Sequence, residues 1–368
     1  MSHFTCPKCH RDYSYDLREC TWCGIPLEEL APDRGTVVGV TEVQVPSLGH
    51  EDVPYWCALV RADDGSSTIV KLDHPVSVSD AVSLGQASVA VLAVVGILGT
   101  GVMGCSLVEL LLSRGHRVVW RGRSEESMEH GARKVTERLS RFMSEEQVAE
   151  ALGRLETATG YESLSGCDVV IEVVTEETSV KQAVLSAAEH SMRDDAILAT
   201  NTSGLSVDEL SSVLARPERF TVMHFFNPAT RMRLVETAGC AQTSPDTRTF
   251  VEEFARVLGK IPVQVAATPG FAVNRALMPL LNEAVRELEE GVASAEAIDE
   301  AVRLGLNHPM GPLALVDLIG LDVVVHIMEN LAERTGDATY APRPLLRALV
   351  SAHELGRKTG KGFYEYPT

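Results

Sequence analysis

The sequence predicts a multi-domain protein that passes from two small β-rich modules through an α/β domain to an all-α one, and three observations carry the prediction. Four cysteines fall within the first 23 of 368 residues, as two Cys-x2-Cys pairs. A valine-rich apolar run, VAVLAVVGIL, breaks into the glycine pattern Gly99-x-Gly101-x-x-Gly104. From about residue 276 onward, alternating strand and helix patterns give way to helical spacing alone, as at Leu277, Leu281, Ala284 and Leu288.

Residues 1–30 hold Cys6, Cys9, Cys20 and Cys23, two knuckles joined by a short insert. Each Cys-x2-Cys turn aims two sulfurs at one point, and tetrahedral zinc takes four thiolates, so the spacing predicts a zinc ribbon. With every position filled by protein, such a zinc is structural and stabilises a segment too small for its own core. The alternatives are free cysteine pairs or a redox site. Residues 31–92 follow as short strands, GTVVGVTEVQVP, YWCALVRADDG, SSTIVKL and a run near SVAVL, broken by turns such as Asp64-Gly65. This pattern predicts a small OB-like β-barrel.

Residues 93–275 read as a Rossmann dinucleotide-binding domain. A strand precedes Gly99-x-Gly101-x-x-Gly104, a helix follows, and a second strand, RVVWR, comes at the right distance. Gly99 allows the tight turn, Gly101 lets backbone amides approach a pyrophosphate, and Gly104 permits close helix–strand packing. The second strand ends in Trp120-Arg121-Gly122-Arg123-Ser124, without the acidic residue that commonly holds the ribose of NAD. Two guanidiniums and a hydroxyl can bind a 2′-phosphate, which favours NADP(H); the alternative is NAD(H) bound without its acidic anchor, with the arginines solvated. Beyond a long polar helical stretch over 124–153, the strands DVVIEVV and AILATN continue the alternation, and Ser203 falls at a strand end where ligands of parallel sheets gather. Residues 276–368 are read as a helical domain.

The acid/base candidate is the stretch FTVMHFFNPATRMRLVE over 220–236. Histidine is the side chain whose unperturbed charge change lies near neutral pH, so His224 can take up a proton and return it. If TVMHFF and RLVE are neighbouring strands, Glu236 can hold one ring nitrogen while the other faces substrate. A satisfied structural histidine is the alternative for this stretch taken by itself. Phe225 and Phe226 read as core and cleft wall.

Composition narrows the partners. A net charge of −18 and 5% aromatic residues argue against a nucleic-acid or anionic-membrane surface. The start MSHFTCPKC does not read as a signal peptide and no apolar run is long enough to span a bilayer, so a cytoplasmic location is expected.

From residue 93 to the end the chain resembles the 3-hydroxyacyl-CoA dehydrogenases. The likeness runs through GTGVMG, NTS, HFFNPATRMRLVE, TPGFAVNR, HPMGPLALVDLIGLD and GRKTGKGFYEY, in that order. It implies a Rossmann domain followed by a helical domain that usually forms a homodimer, and hydride transfer at C3 of an acyl thioester. It also implies His224 as catalytic acid/base and Glu236 as its partner, with Ser203 and Asn274 holding substrate and Asn227 supporting the site. Glu176 and Lys181 match positions that contact the nicotinamide ribose region. At Gly122 the family usually has Asp, so its NAD preference does not carry over. Residues 1–92 resemble zinc-ribbon/OB-fold domains associated with acyl-CoA enzymes, which implies contact with acyl thioesters or with a partner enzyme. Sequence leaves open whether the thioester is free coenzyme A or an acyl carrier protein. It also leaves a rival in which the chain is an acyl-thioester-binding or docking module with a vestigial dehydrogenase.

Overall fold

The computed structural model describes residues 93–366 in full, and before them the backbone of seven strands together with the side chains of Val38, Val60 and Arg61. Cys6, Cys9, Cys20 and Cys23 lie outside the described residues. The early strands are β1 (His3–Thr5), β2 (Asp12–Tyr13), β3 (Glu28–Leu30), β4 (Arg34–Val43), β5 (Tyr55–Ala62), β6 (Ser67–Leu72) and β7 (Ala81–Ser83). They form two antiparallel sheets, ordered β2-β1-β3 and β6-β5-β4-β7.

The chain divides into two compact units, one of Met1–Thr202 and Val207–Val265, the other of Ser203–Ser206 and Ala266–Thr368. In the first, an eight-stranded sheet is built from β8 (Val94–Leu98), β9 (Arg117–Arg121), β10 (Leu155–Ala158), β11 (Val169–Glu172), β12 (Ile197–Thr200), β13 (Phe220–Phe225), β14 (Leu234–Gly239) and β15 (Ile261–Gln264). Their order is β10-β9-β8-β11-β12-β13-β14-β15. The central strands β8 (VVGIL) and β11 (VVIE) are apolar up to Glu172 and almost wholly buried, as parallel strands between helical layers must be. Helices α1 (Val102–Ser113), α2 (Glu125–Leu139), α3 (Glu145–Leu152), α4 (Thr178–Ser191), α5 (Val207–Ser211) and α6 (Pro245–Val257) complete this unit.

Two sequence expectations change here. The sheet is not wholly parallel: β14 runs antiparallel to β13, since only the eight residues 226–233 join them and a parallel crossover needs a helix-length connection. The polar stretch 124–153 is two helices rather than one. Ser144 ends the break between them, its hydroxyl accepting the Gln147 N–H while the Gln147 side chain accepts the Ser144 N–H, a reciprocal cap that starts α3 afresh.

Arg61 of β5 forms an ion pair with Glu253 of α6, whose side chain is fully buried and also meets Arg256. The four-stranded sheet is thereby tied to the α/β unit by a charge that cannot lose its partner cheaply.

The second unit packs α7 (Val273–Glu289), α8 (Ala295–Gly305), α9 (Pro312–Ile319), α10 (Leu321–Thr335) and α11 (Pro344–Ser351) around Met278, Leu281, Val285, Leu313, Val324 and Met328. Two buried carboxylates fasten its end. Asp317 accepts N–H bonds from Phe363 and Tyr364 at 2.9 Å each and the Tyr366 hydroxyl at 3.0 Å. Asp299 accepts from Leu313, Ala314 and the Tyr364 hydroxyl. The GFYEY motif is therefore the ligand of two carboxylates that would otherwise be buried without compensation.

Candidate active site

The β8–α1 turn is the first half of the site. Gly99 stands at φ +121°, a conformation open to glycine, and a Cβ on Gly104 would lie 2.1 Å from the Gly99 carbonyl oxygen. That contact brings α1 directly against the turn. In front of Gly101, which caps α1 without a side-chain hydrogen bond, a Cβ would meet nothing within 4 Å. The turn is pinned from behind by Trp120, whose indole N–H donates to the Gly99 carbonyl at 2.8 Å. A helix start with orphan N–H groups facing open space fits a pyrophosphate.

At the end of β9 the predicted phosphate contacts separate. Arg121 Nε donates to the Thr159 carbonyl at 3.0 Å, and its guanidinium lies over the Tyr161 ring at 3.9 Å. Arg123 is exposed. Ser124 is also the N-cap of α2, its hydroxyl accepting the Ser127 N–H.

His224 and Glu236 face each other directly across the β13–β14 pair. His224 Nδ1 and Glu236 Oε2 are 2.8 Å apart, with the residues 6% and 1% exposed. The Phe226 ring tilts against the imidazole with centroids 4.6 Å apart, and Phe225 is core. Asn201, which sequence reasoning passed over, accepts the Phe225 N–H at 2.8 Å and so ties the end of β12 to the strand carrying His224. Its only signal was an amide residue at the end of an apolar strand.

Beyond β13, Asn227 is exposed and joined to Pro228 by a cis peptide bond. The connection that follows is held at three points. Ala229 N–H donates to the Ser106 hydroxyl at 2.7 Å, and buried Lys260 donates to the carbonyls of Ala229 and Met232. Burial pulls the Lys260 pKa down to about 8, with Arg114 and Arg233 adding repulsion. Beside this connection opens a cavity of about 660 Å³ whose walls include Arg114, Arg141, Arg231, Asn227 and Arg138, the last paired with Glu109 at 3.6 Å. In a chain of net charge −18 this is a local concentration of positive charge.

Glu176 and Lys181 lie in a second buried network. Lys181, 1% exposed, is 2.7 Å from Glu172 and 3.3 Å from Glu176. Glu172 also accepts the Val174 N–H and the Thr200 hydroxyl, and Glu176 accepts the Thr202 hydroxyl at 2.6 Å. Lys181 is thus committed to carboxylates, and Glu176, with a quarter of its side chain exposed, is the member presented outward. In the second unit Ser203 is half-buried and Asn274, 8% exposed, occupies the first turn of α7.

Residues 94–268 match the NAD-binding domain of 3-hydroxyacyl-CoA dehydrogenase, and residues 270–366 match the C-terminal domain of the same enzyme. The chain belongs to the 3-hydroxyacyl-CoA dehydrogenase family. Among curated relatives, 3-hydroxybutyryl-CoA dehydrogenase of Clostridioides difficile is 42% identical over 275 residues, 73% of this chain and 98% of the relative. The mitochondrial hydroxyacyl-coenzyme A dehydrogenase of Sus scrofa is 35% identical, covering 74% and 90%. Among solved structures, (S)-3-hydroxybutyryl-CoA dehydrogenase from Ralstonia eutropha matches with a TM-score of 0.71 at 41% identity, covering 75% of this chain and all of that one. The matched part of this dehydrogenase-family chain begins at its dinucleotide fold. Among its described residues no helix is long and apolar enough to cross a membrane.

Proposed function

We propose that this family member interconverts a short 3-oxoacyl thioester and its (S)-3-hydroxy form with a nicotinamide cofactor, His224 serving as the acid/base. The observation that carries the reading is the 2.8 Å His224–Glu236 contact between opposed strands of a dinucleotide-binding sheet. A carboxylate on Nδ1 fixes the ring and stabilises the imidazolium, so proton exchange falls to Nε2. In reduction His224 gives its proton to the oxygen at C3; in oxidation it takes that proton away. The β8–α1 turn fits a dinucleotide, and the nicotinamide, when bound, supplies or accepts the hydride. Glu176, held by Lys181 and Thr202, is the group we place against the nicotinamide ribose. Ser203 and Asn274 donate hydrogen bonds to the thioester substrate as charge develops on its oxygen.

The lack of a carboxylate at Gly122, with Arg121 and Arg123 on either side, supports NADP(H) over NAD(H). The basic cavity beside Asn227 supports coenzyme A as the carrier, since its arginines suit the phosphates of a free nucleotide-bearing thioester. The four N-terminal cysteines as a structural zinc site, the OB-like module as a docking element for a partner enzyme, and the helical unit as the dimer contact complete the proposal.

Steady-state reduction of acetoacetyl-CoA with NADPH and then NADH tests it. NADPH is expected to be preferred, and turnover is expected to fall in His224→Ala. No reduction with either cofactor overturns the activity, and equal rates overturn the NADP(H) reading alone.

A further inference from the structure

We propose that Tyr161 is a positioning residue for a 2′-phosphate reader: it holds Arg121 in the orientation that recognises the phosphate, an inference that rests on the NADP(H) reading. Arg121 is the last residue of β9, and three contacts from the neighbouring β10 edge converge on it. Its backbone pairs with Ala158, and the next N–H, of Gly122, donates to the Ala158 carbonyl at 3.0 Å. Its Nε donates to the Thr159 carbonyl, and its guanidinium plane rests 3.9 Å from the Tyr161 ring centroid. With Nε spent and one face on the ring, recognition is left to the edge carrying the two Nη groups, the planar fork that suits a phosphate.

Gly122 shows why the adjacent position does not compete. A Cβ there would lie 2.4 Å from Met128 Sδ and 2.9 Å from Ser127 Oγ, so the space a ribose-binding carboxylate would grow from is filled from behind by α2. The pocket is thus arranged at both neighbours: the Met128 side chain fills the space beside Gly122, and an aromatic face fixes the base at 121. The local field makes that fixation necessary. Glu125 and Glu126 in the first turn of α2 and Glu162 next to Tyr161 are all exposed, and Arg123 is the second positive charge against them. A freely rotating Arg121 would pair with these carboxylates as readily as with a ligand. Stacking removes that choice and the rotamer entropy that a long side chain loses on binding.

Calorimetric titration of the full chain with adenosine 2′,5′-bisphosphate and with 5′-AMP tests the inference without turnover. The wild type is expected to bind the bisphosphate at least about tenfold more tightly. Tyr161→Leu should lose most of that preference while its 5′-AMP affinity stays unchanged, and Tyr161→Phe, which keeps the ring, should retain it. Arg121→Lys, which keeps the charge but not the fork, should also lose it and serves if Tyr161→Leu does not fold. No preference in the wild type overturns the NADP(H) reading. A wild-type preference that survives in Tyr161→Leu, or in Arg121→Lys where that variant is the one measured, overturns the positioning role and leaves the cofactor reading standing. Equal loss of both ligands in Tyr161→Leu also overturns it, because the ring would then be holding adenosine or the fold.

Discussion

Two buried histidines of the α/β unit show how a neighbour decides what burial does to the same side chain. His224 is 6% exposed and His116 is 1% exposed. His224 has a carboxylate at 2.8 Å, delivered by the register of an antiparallel strand pair. His116, between α1 and β9, has no carboxylate beside it: it meets the edge of Phe254, and the Ala93 backbone is the one group that favours its charged form. Burial pulls its pKa down to about 4, and the charges of Arg114 and Arg154 add to the effect. In the function proposed above, the first ring carries a proton between substrate and protein. The second is kept neutral and behaves as a core aromatic. What separates a site from a core position is therefore the compensating charge and not the depth.

The largest effect expected from breaking this contrast is at His224. His224→Ala should lower kcat for acetoacetyl-CoA reduction on the order of 10²–10⁴-fold, the usual worth of a positioned acid/base. Cofactor affinity should move little, whereas the melting temperature should fall, because Glu236 stays buried without the imidazole. A variant with full kcat would place the acid/base elsewhere.

Glu236→Gln is the next step down, since it keeps an acceptor near Nδ1 and removes the charge. A hydrogen bond to a charged group is worth about 1.5–3 kcal/mol, so kcat should fall roughly 10- to 100-fold, with a smaller change in KM. Loss of stability without loss of kcat would make Glu236 a structural carboxylate, like Asp317.

The contrast also marks what could be read without coordinates. The HFFNPATRMRLVE stretch exposed both members of the His224–Glu236 pair because strand period and turn length leave few ways to pair two short apolar runs. The glycine turn was legible for the same reason: each glycine answers a local backbone demand. Residues whose task depends on distant neighbours were not. Lys181 gave no sign of its contact with Glu172, nine residues earlier in the chain but brought under it by the β11–α4 connection. Asn201 gave no warning of its bond to Phe225, which needs β12 and β13 side by side. The aromatic support of Arg121 comes from a residue 40 positions on, beyond two intervening helices.

His116 gives the smallest and most specific expectation, and it concerns stability. In the unfolded chain its pKa returns to the ordinary value near 6.5, while in the folded chain it is about 4. Between those values the unfolded state binds more protons, so the stability this group contributes is complete above about pH 6.5 and is lost as pH falls towards 4. At about 1.4 kcal/mol per pH unit the loss amounts to roughly 3 kcal/mol at most. His116→Leu places an apolar side chain of similar reach beside Phe254, in place of a ring that burial keeps uncharged. It should therefore match or exceed the wild type in urea midpoint at pH 7.5 and widen its lead as pH is lowered to 4.5, with kcat at pH 7.5 unchanged. If the two midpoints fall in parallel over that range, His116 is protonating in the folded state, and its nitrogens have found a partner that the neutral packing against Phe254 does not show.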